Sequence, residues 1–348
     1  MMKNKKIIYI AILVIVVLIV STYFIKTDEN KGLTVTTSFY PPADFAQVIG
    51  GELLSVVNIN PPGSDPHSFE PTPRDITRIL NSDIFIYYGA GIDTWAERIA
   101  DEARKNGVLV IEMTKNFELD EFEHDHDHHD EHGHGHDDDH GHSDHKHESD
   151  HHNEDGHGHD DDHEHHHSHD HSHEYDPHIW LDPLMAIRQV EIIRDAIISI
   201  DPENTETYIR NAEEYIQELE MLHSEYEQSL AQCEIRTIVV SHAAFHYLTQ
   251  RYNLEMVAIA GLSTGTEPSL NKMREITEKT KGYDIRYIFF ETLTSPKVAE
   301  SIANEVGAGT LVLNPIEGLT RAELNSGENY LTVMENNLKN LKTALRCN

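Results

Sequence analysis

The sequence predicts an α/β protein of two lobes, each built on a parallel sheet, with one long helix joining them. Three observations lead there: eight short apolar runs fall into two sets of four, helical segments alternate with them, and one unbroken helical stripe lies between the sets. The first set is Leu33–Thr37, Leu53–Ile59, Ile84–Tyr88 and Val108–Met113; the second is Thr237–Val240, Met256–Ile259, Tyr287–Phe290 and Thr310–Leu313. Each run is rich in Val, Ile and Phe and apolar almost throughout, as strands buried on both faces are. Helical segments such as Asp75–Leu80, Trp95–Lys105 and Lys297–Glu305 separate them, and strand alternating with helix is the order of a parallel sheet.

Between the sets, Tyr208, Ala212, Tyr215, Leu219, Leu222, Tyr226 and Leu230 recur at three- and four-residue spacing, one apolar face of a helix. Asp201 followed by Pro202 supplies an N-cap and a first helical residue. About 28 residues at 1.5 Å each make a rod of about 40 Å, enough to run the length of both lobes. A shorter helix starts with the same chemistry at Asp182-Pro183. The expected organisation is an N-terminal membrane segment over 1–26, a first lobe over 33–200, the linking helix over 201–232 and a second lobe over 233–348.

Composition is uneven along the 348 residues. Between His124 and His173 lie 22 of the 27 histidines, and the stretch from Asp120 to Glu174 carries −20 of the net charge of −34. This tract, from about 118 to 174, has no apolar periodicity and too little apolar surface to offset the entropy of ordering, so it is expected to be a disordered insertion in the first lobe. The remaining charge of −14 offers no basic stripe for phosphates, which excludes nucleic acid as a partner. Near the start, Lys3, Lys5 and Lys6 precede a run from Ile7 to Ile25 broken only by Ser21 and Thr22. That length spans a hydrocarbon core, and the basic flank places the rest of the chain outside the cytoplasm. No small-x-small site stands near Val20–Thr22 and no cysteine is there to take a lipid, so an uncleaved anchor is preferred to a cleaved signal peptide. The two cysteines, Cys233 and Cys347, can pair in that compartment or stay as free thiols.

Outside the tract only His67, His178, His223, His242 and His246 remain. Imidazoles and carboxylates together are zinc-site chemistry, and ligands in open α/β sheets gather beyond the carboxyl ends of strands. His67 follows the second run in the loop Asn60-Pro61-Pro62-Gly63-Ser64-Asp65-Pro66. His178 stands after the tract, just before the helix at Pro183, and His242 directly follows the Thr237–Val240 run. His223 lies beside the apolar stripe and reads as a helix-surface residue. His242 and His246 at i and i+4 offer a competing helical chelate, although no Glu follows His242 as it does in zinc proteases. After the last run come Asn314 and Glu317; the carboxylate is the better fourth ligand for a dication, with Asn314, Glu291 or water as alternatives. Glu291, at another strand end, is assigned to orienting a ligand imidazole.

Four segments then carry a resemblance: Asp65-Pro66-His67-Ser68-Phe69-Glu70-Pro71-Thr72-Pro73, His178-Ile179-Trp180-Leu181-Asp182-Pro183, Ser241-His242-Ala243-Ala244-Phe245 and Asn314-Pro315-Ile316-Glu317-Gly318-Leu319-Thr320. In order and spacing the chain resembles the zinc/manganese substrate-binding proteins of metal ABC importers, from about Leu33 onward with the tract excluded. The resemblance implies two (β/α)4-like lobes joined by one rigid helix, with the metal in the cleft between them and His67, His178 and His242 as ligands. Manganese members tend to have Glu at the position of His242 and Asp in the last motif, so His242 with Glu317 looks like the zinc branch, whose members often carry a His-rich loop. The implied function is capture of Zn2+, with Mn2+ the less favoured ion, by a monomeric, non-enzymatic receptor that passes it to an ABC permease and ATPase. The rival readings are a zinc or nickel buffer with no transporter and a zinc metallohydrolase; the latter needs a general base beside an open metal position, and no such motif stands out.

Overall fold

A computed structural model describes residues 32–121, 175–262 and 269–347. The expected membrane segment over 1–26 and nearly all of the His/Asp/Glu tract lie outside the described residues, and among the described residues no helix is long and apolar enough to cross a membrane.

The strands form where the apolar runs are: β1 (Leu33–Thr37), β2 (Leu54–Asn58), β3 (Ile84–Tyr87), β4 (Leu109–Glu112), β5 (Thr237–Val240), β6 (Glu255–Ala258), β7 (Tyr287–Phe290) and β8 (Gly309–Val312). The first four make one parallel sheet in the order β2-β1-β3-β4. The second four form two parallel pairs, β5–β6 and β7–β8, with β5 packed beside β7. Helices alternate with them: α1 (Tyr40–Gly50), α2 (Pro73–Leu80), α3 (Thr94–Lys105), α4 (Pro183–Ile200), α5 (Thr205–Leu230), α6 (His246–Arg251), α7 (Leu270–Lys281), α8 (Lys297–Val306), α9 (Arg321–Ser326) and α10 (Tyr330–Leu345).

Strand alternation divides the core. Ile84 and Ile86 of β3, with Ile238 and Val240 of β5, face a central cluster built on α1, α4, α5 and α10. Phe85 and Tyr87 turn the other way, onto Trp95 and Ala96 of α3. Val239 and Ile288 do the same onto Ile276 of α7 and Ile302 of α8. Each strand set is therefore covered on both faces, which is why most of its strands show no regular alternation of apolar and polar residues.

All seven residues of the predicted stripe on α5 are buried. Their helix of 26 residues is about 39 Å long. It is fastened to helices packed on each strand set: the Asn211 amide donates to the Ile49 carbonyl of α1 (2.9 Å) and the Tyr226 hydroxyl to the Met334 carbonyl of α10 (2.6 Å). The start differs from expectation. Pro202–Asn204 is a 3-10 turn and the α-helix begins at Thr205. Asp201 does not cap it; its carboxylate instead accepts from the Asn204 amide (2.8 Å) and the Tyr208 hydroxyl (2.5 Å). At α4 the predicted cap holds, with the Asp182 side chain accepting from the Leu184 N–H at 2.9 Å. Cys233 and Cys347 are joined in a disulfide, which ties the chain leaving α5 to the end of α10.

Candidate metal centre

In both parallel sets the loops that follow the strands carry the candidate ligands. After β2 the chain turns through Gly63, whose φ of +85° suits a residue without Cβ, and its N–H donates to the Leu319 carbonyl at 2.9 Å. Two residues on, Asp65 Oδ1 accepts from the backbone N–H of His67 (2.8 Å) and sets the direction of that side chain. The same tripeptide, Asp-Pro-His, recurs at Asp176-Pro177-His178. There Asp176 Oδ1 accepts from the His178 N–H (2.9 Å) and from its ring Nδ1 (2.7 Å). With Nδ1 donating to a carboxylate, Nε2 is left as the metal-binding atom.

His242 follows β5 in a turn whose next N–H, that of Ala243, donates to the Gly261 carbonyl (2.9 Å). Its Nδ1 donates to Glu291 Oε1 at 2.6 Å, and the Ser241 hydroxyl donates to the same oxygen. Glu291 directly follows β7, so a residue at a strand's carboxyl end orients this imidazole as Asp176 orients the other. Glu317 follows β8. Its turn is pinned by Asn314, whose Oδ1 accepts from the Ile316 N–H (2.8 Å) and whose own N–H and C=O are both bonded to the Asn337 side chain (2.8 and 2.7 Å). Ile316 sits at φ +59°, a region a β-branched residue rarely enters and which costs on the order of 1–3 kcal/mol.

These four loops meet. Nε2 of His67, His178 and His242 lie 3.3, 3.2 and 3.2 Å from one atom, Glu317 Oε1. The four ligand atoms lie within 4.8 Å of one another. A four-coordinate ion with bonds of about 2.0–2.1 Å has ligand–ligand edges of roughly 3.3–3.4 Å, and the three separations from Glu317 Oε1 match that edge length. The His178 and His242 side chains are 0% and 1% exposed and His67 is 9% exposed, which leaves the His67 side as the open one.

Burial alone would lower the basicity of His178, but Asp176 and then Glu317 outweigh it and raise its pKa above the ordinary imidazole value. For His242 burial acts the same way, and Glu291 with Glu317 lifts the pKa well above that value. Burial pushes the Glu317 carboxyl up, yet His67, His178 and His242 hold it well below the usual carboxylate range. The centre thus sets two imidazoles of raised basicity against one ionised oxygen, and a dication would bind there in competition with protons.

The other candidates sit elsewhere. His246 is the first residue of α6, so His242 and His246 do not share a helical face. Its Nε2 meets Asp120 Oδ2 at 3.1 Å, exposed to solvent. His223 Nδ1 meets the Tyr252 hydroxyl at 3.1 Å. Asn314 is occupied by backbone bonds, and Glu291 is engaged at Nδ1 of His242. Sequence reasoning did not single out Asp176, although the repeated Asp-Pro-His was a signal for it.

Residues 35–344 match the family described as zinc-uptake complex component A, periplasmic (ZnuA). The chain is 35% identical over 321 residues to the zinc-binding lipoprotein AdcA of Streptococcus pneumoniae serotype 4, covering 91% of this chain and 56% of that one. It therefore spans little more than half the length of that relative. It is 33% identical over 319 residues to the high-affinity zinc uptake system protein ZnuA of Bacillus subtilis, covering 91% of this chain and 89% of the relative. Among solved structures, the Zn(II)-bound ZnuA-like domain of Streptococcus pneumoniae AdcA aligns with a TM-score of 0.68 at 32% identity, over 90% of this chain and 98% of that domain.

Proposed function

The chain belongs to the family of ZnuA, the periplasmic component A of a zinc-uptake complex, and from that membership we propose that it is the extracytoplasmic receptor of a metal ABC importer. It captures Zn2+ and hands it to a membrane permease driven by an ATPase. The observation that carries the reading is the convergence of three imidazole Nε2 atoms on Glu317 Oε1, at the edge lengths of a zinc tetrahedron. His67, His178, His242 and Glu317 are the ligands. Relatives named for zinc binding and zinc uptake support the choice of ion.

Four protein ligands close the coordination sphere, whereas a catalytic zinc keeps a position open for water, so the reading is of a carrier and not a hydrolase. The ligands come from both strand sets, and Asp176 and Glu291 fix two imidazoles from behind. Metal enters past His67, the least buried ligand, and leaves when His67 and Glu317 are drawn apart. Two lobes joined by α5 meet at this site, the first ending near residue 200 and the second starting near 233. The run from Ile7 to Ile25 anchors the protein to the outer face of the membrane, and the tract acts as a weak collector of ions.

The test is zinc titration by calorimetry with chelator competition. His67→Ala, His178→Ala, His242→Ala and Glu317→Gln should each weaken tight binding, with His246→Ala close to wild type. In a strain lacking its own receptor, wild-type chain should restore growth under zinc chelation and the ligand variants should not. Equal losses at His242 and His246, or growth rescue independent of the permease, would sink the reading.

A further inference from the structure

Trp180 joins two of the ligand loops. It stands two residues after His178, and its indole N–H donates to the carbonyl of Pro315, two residues before Glu317, at 2.7 Å. The residue is fully buried, with its ring 5.1 Å from those of His178, Phe39 and Tyr88. Its backbone carbonyl accepts from the Tyr330 hydroxyl at 2.5 Å, so the residue is held through its backbone as well as its indole. Pro315 has no N–H, and the carbonyl that Trp180 engages is one of the few handles by which that turn can be fixed. The next residue, Ile316, is the one at φ +59°. A β-branched residue stays there only when its surroundings over-determine it, and here Asn314, Asn337 and Trp180 do so.

We propose that Trp180 is a positioning residue: with the left-handed turn at Ile316 it fixes Glu317 as a one-oxygen ligand, and so sets the preference of the site for four-coordinate ions over six-coordinate ones. The proposal rests on the ligand assignment above. All three imidazoles face the same oxygen of Glu317, the arrangement a tetrahedral ion needs. A carboxylate on a loose turn can rotate and bind through both oxygens, which raises the coordination number and suits a harder ion such as Mn2+. Holding the Pro315 carbonyl denies the turn that rotation. The indole thus acts on selectivity without touching the metal.

The experiment compares Trp180→Phe with Trp95→Phe, the same change at the protein's other tryptophan, buried in the cluster behind β3. Zinc and manganese affinities are measured on each full-length chain, together with the zinc absorption edge and the melting temperature of the metal-free protein. Trp180→Phe should weaken zinc about 10–100-fold, as loss of an outer-sphere partner does, with manganese little changed. Its zinc edge should shift towards a higher coordination number. Trp95→Phe should leave the zinc-to-manganese ratio unmoved whatever it does to melting. If Trp180→Phe does not fold, replacing the indole by benzothiophene, which keeps the ring volume and lacks the N–H, makes the same comparison. An unmoved ratio in a folded chain that lacks the indole N–H, or an equal shift in Trp95→Phe, overturns the proposal. A wild-type chain without a tight zinc site would instead overturn the ligand assignment beneath it.

Discussion

Replacing Glu291 by Gln keeps the shape of the side chain and removes its charge. In the wild type its Oε1 accepts from His242 Nδ1 at 2.6 Å, and both side chains are almost fully buried. A hydrogen bond to a charged group contributes about 1.5–3 kcal/mol and a neutral one about 0.5–1.5, so the exchange costs roughly 1.4 kcal/mol, or about tenfold in zinc affinity. That figure applies only while metal-free His242 is neutral. Against the opposing effect of burial, Glu291 and Glu317 raise the His242 pKa well above the ordinary value. A raised pKa means that the ion pair stabilises the metal-free fold fully below about pH 6.5, and that this contribution disappears as pH climbs through the raised value. Where the imidazole is already protonated, it draws on the Glu291 charge before zinc arrives, and the gain on binding cancels. The affinity gap between wild type and Glu291→Gln should therefore be widest at alkaline pH and close as pH falls towards 6. Melting of the metal-free proteins should show the reverse, with Glu291→Gln less stable at pH 6 and converging on wild type at high pH. Chelator competition and thermal melts over a pH series read both. A gap of constant size across the series, or none at all, would refute the argument that this carboxylate works by tuning the imidazole.

Two further outcomes are expected. Joining Glu121 to Tyr175, which already form an antiparallel bridge, through a short turn should keep one tight zinc per chain, because all four ligands lie outside the excised segment. Shortening a closed loop about tenfold also favours folding by about 2 kcal/mol, so the melting temperature should rise; a fall, or loss of tight binding, would show that the tract belongs to the site. Cys233→Ser should destabilise the chain by about 4–5 kcal/mol on the chain-entropy view, since the bridge closes a loop of sequence separation 114. Guanidinium unfolding of oxidised wild type and variant would check it, and equal midpoints would count against any stabilising role for the bridge.

What could be read in advance came from local pattern. Most of the strands were legible because burial on both faces favours apolar residues in them, though β1 carries three threonines, and α5 because its stripe needs no partner to be seen. Their ends were less so: Leu53 falls in a 3-10 turn before β2, and Asp201 serves a turn and not the helix. At the candidate site, loop position and donor chemistry brought out His67, His178, His242 and Glu317, the residues that converge. The helical alternative with His246 arose because spacing alone does not reveal where a helix starts, and here Ser241–Phe245 is a turn. Ile316 could not have been anticipated. Nothing in an isoleucine announces a left-handed backbone, and the groups that hold it there, Asn337 and Trp180, are supplied by distant sequence.

His67 and Glu317 are 250 residues apart in the chain, and their loops touch through the bond from Gly63 to Leu319. Two of the four candidate ligand atoms thus come from the loop after β2 and the turn after β8. A nascent or partly folded chain holds only fragments of the set, each a weak ligand for any ion. Zinc bound at the proposed centre would consequently report completed folding, and loading would separate finished molecules from partly folded ones.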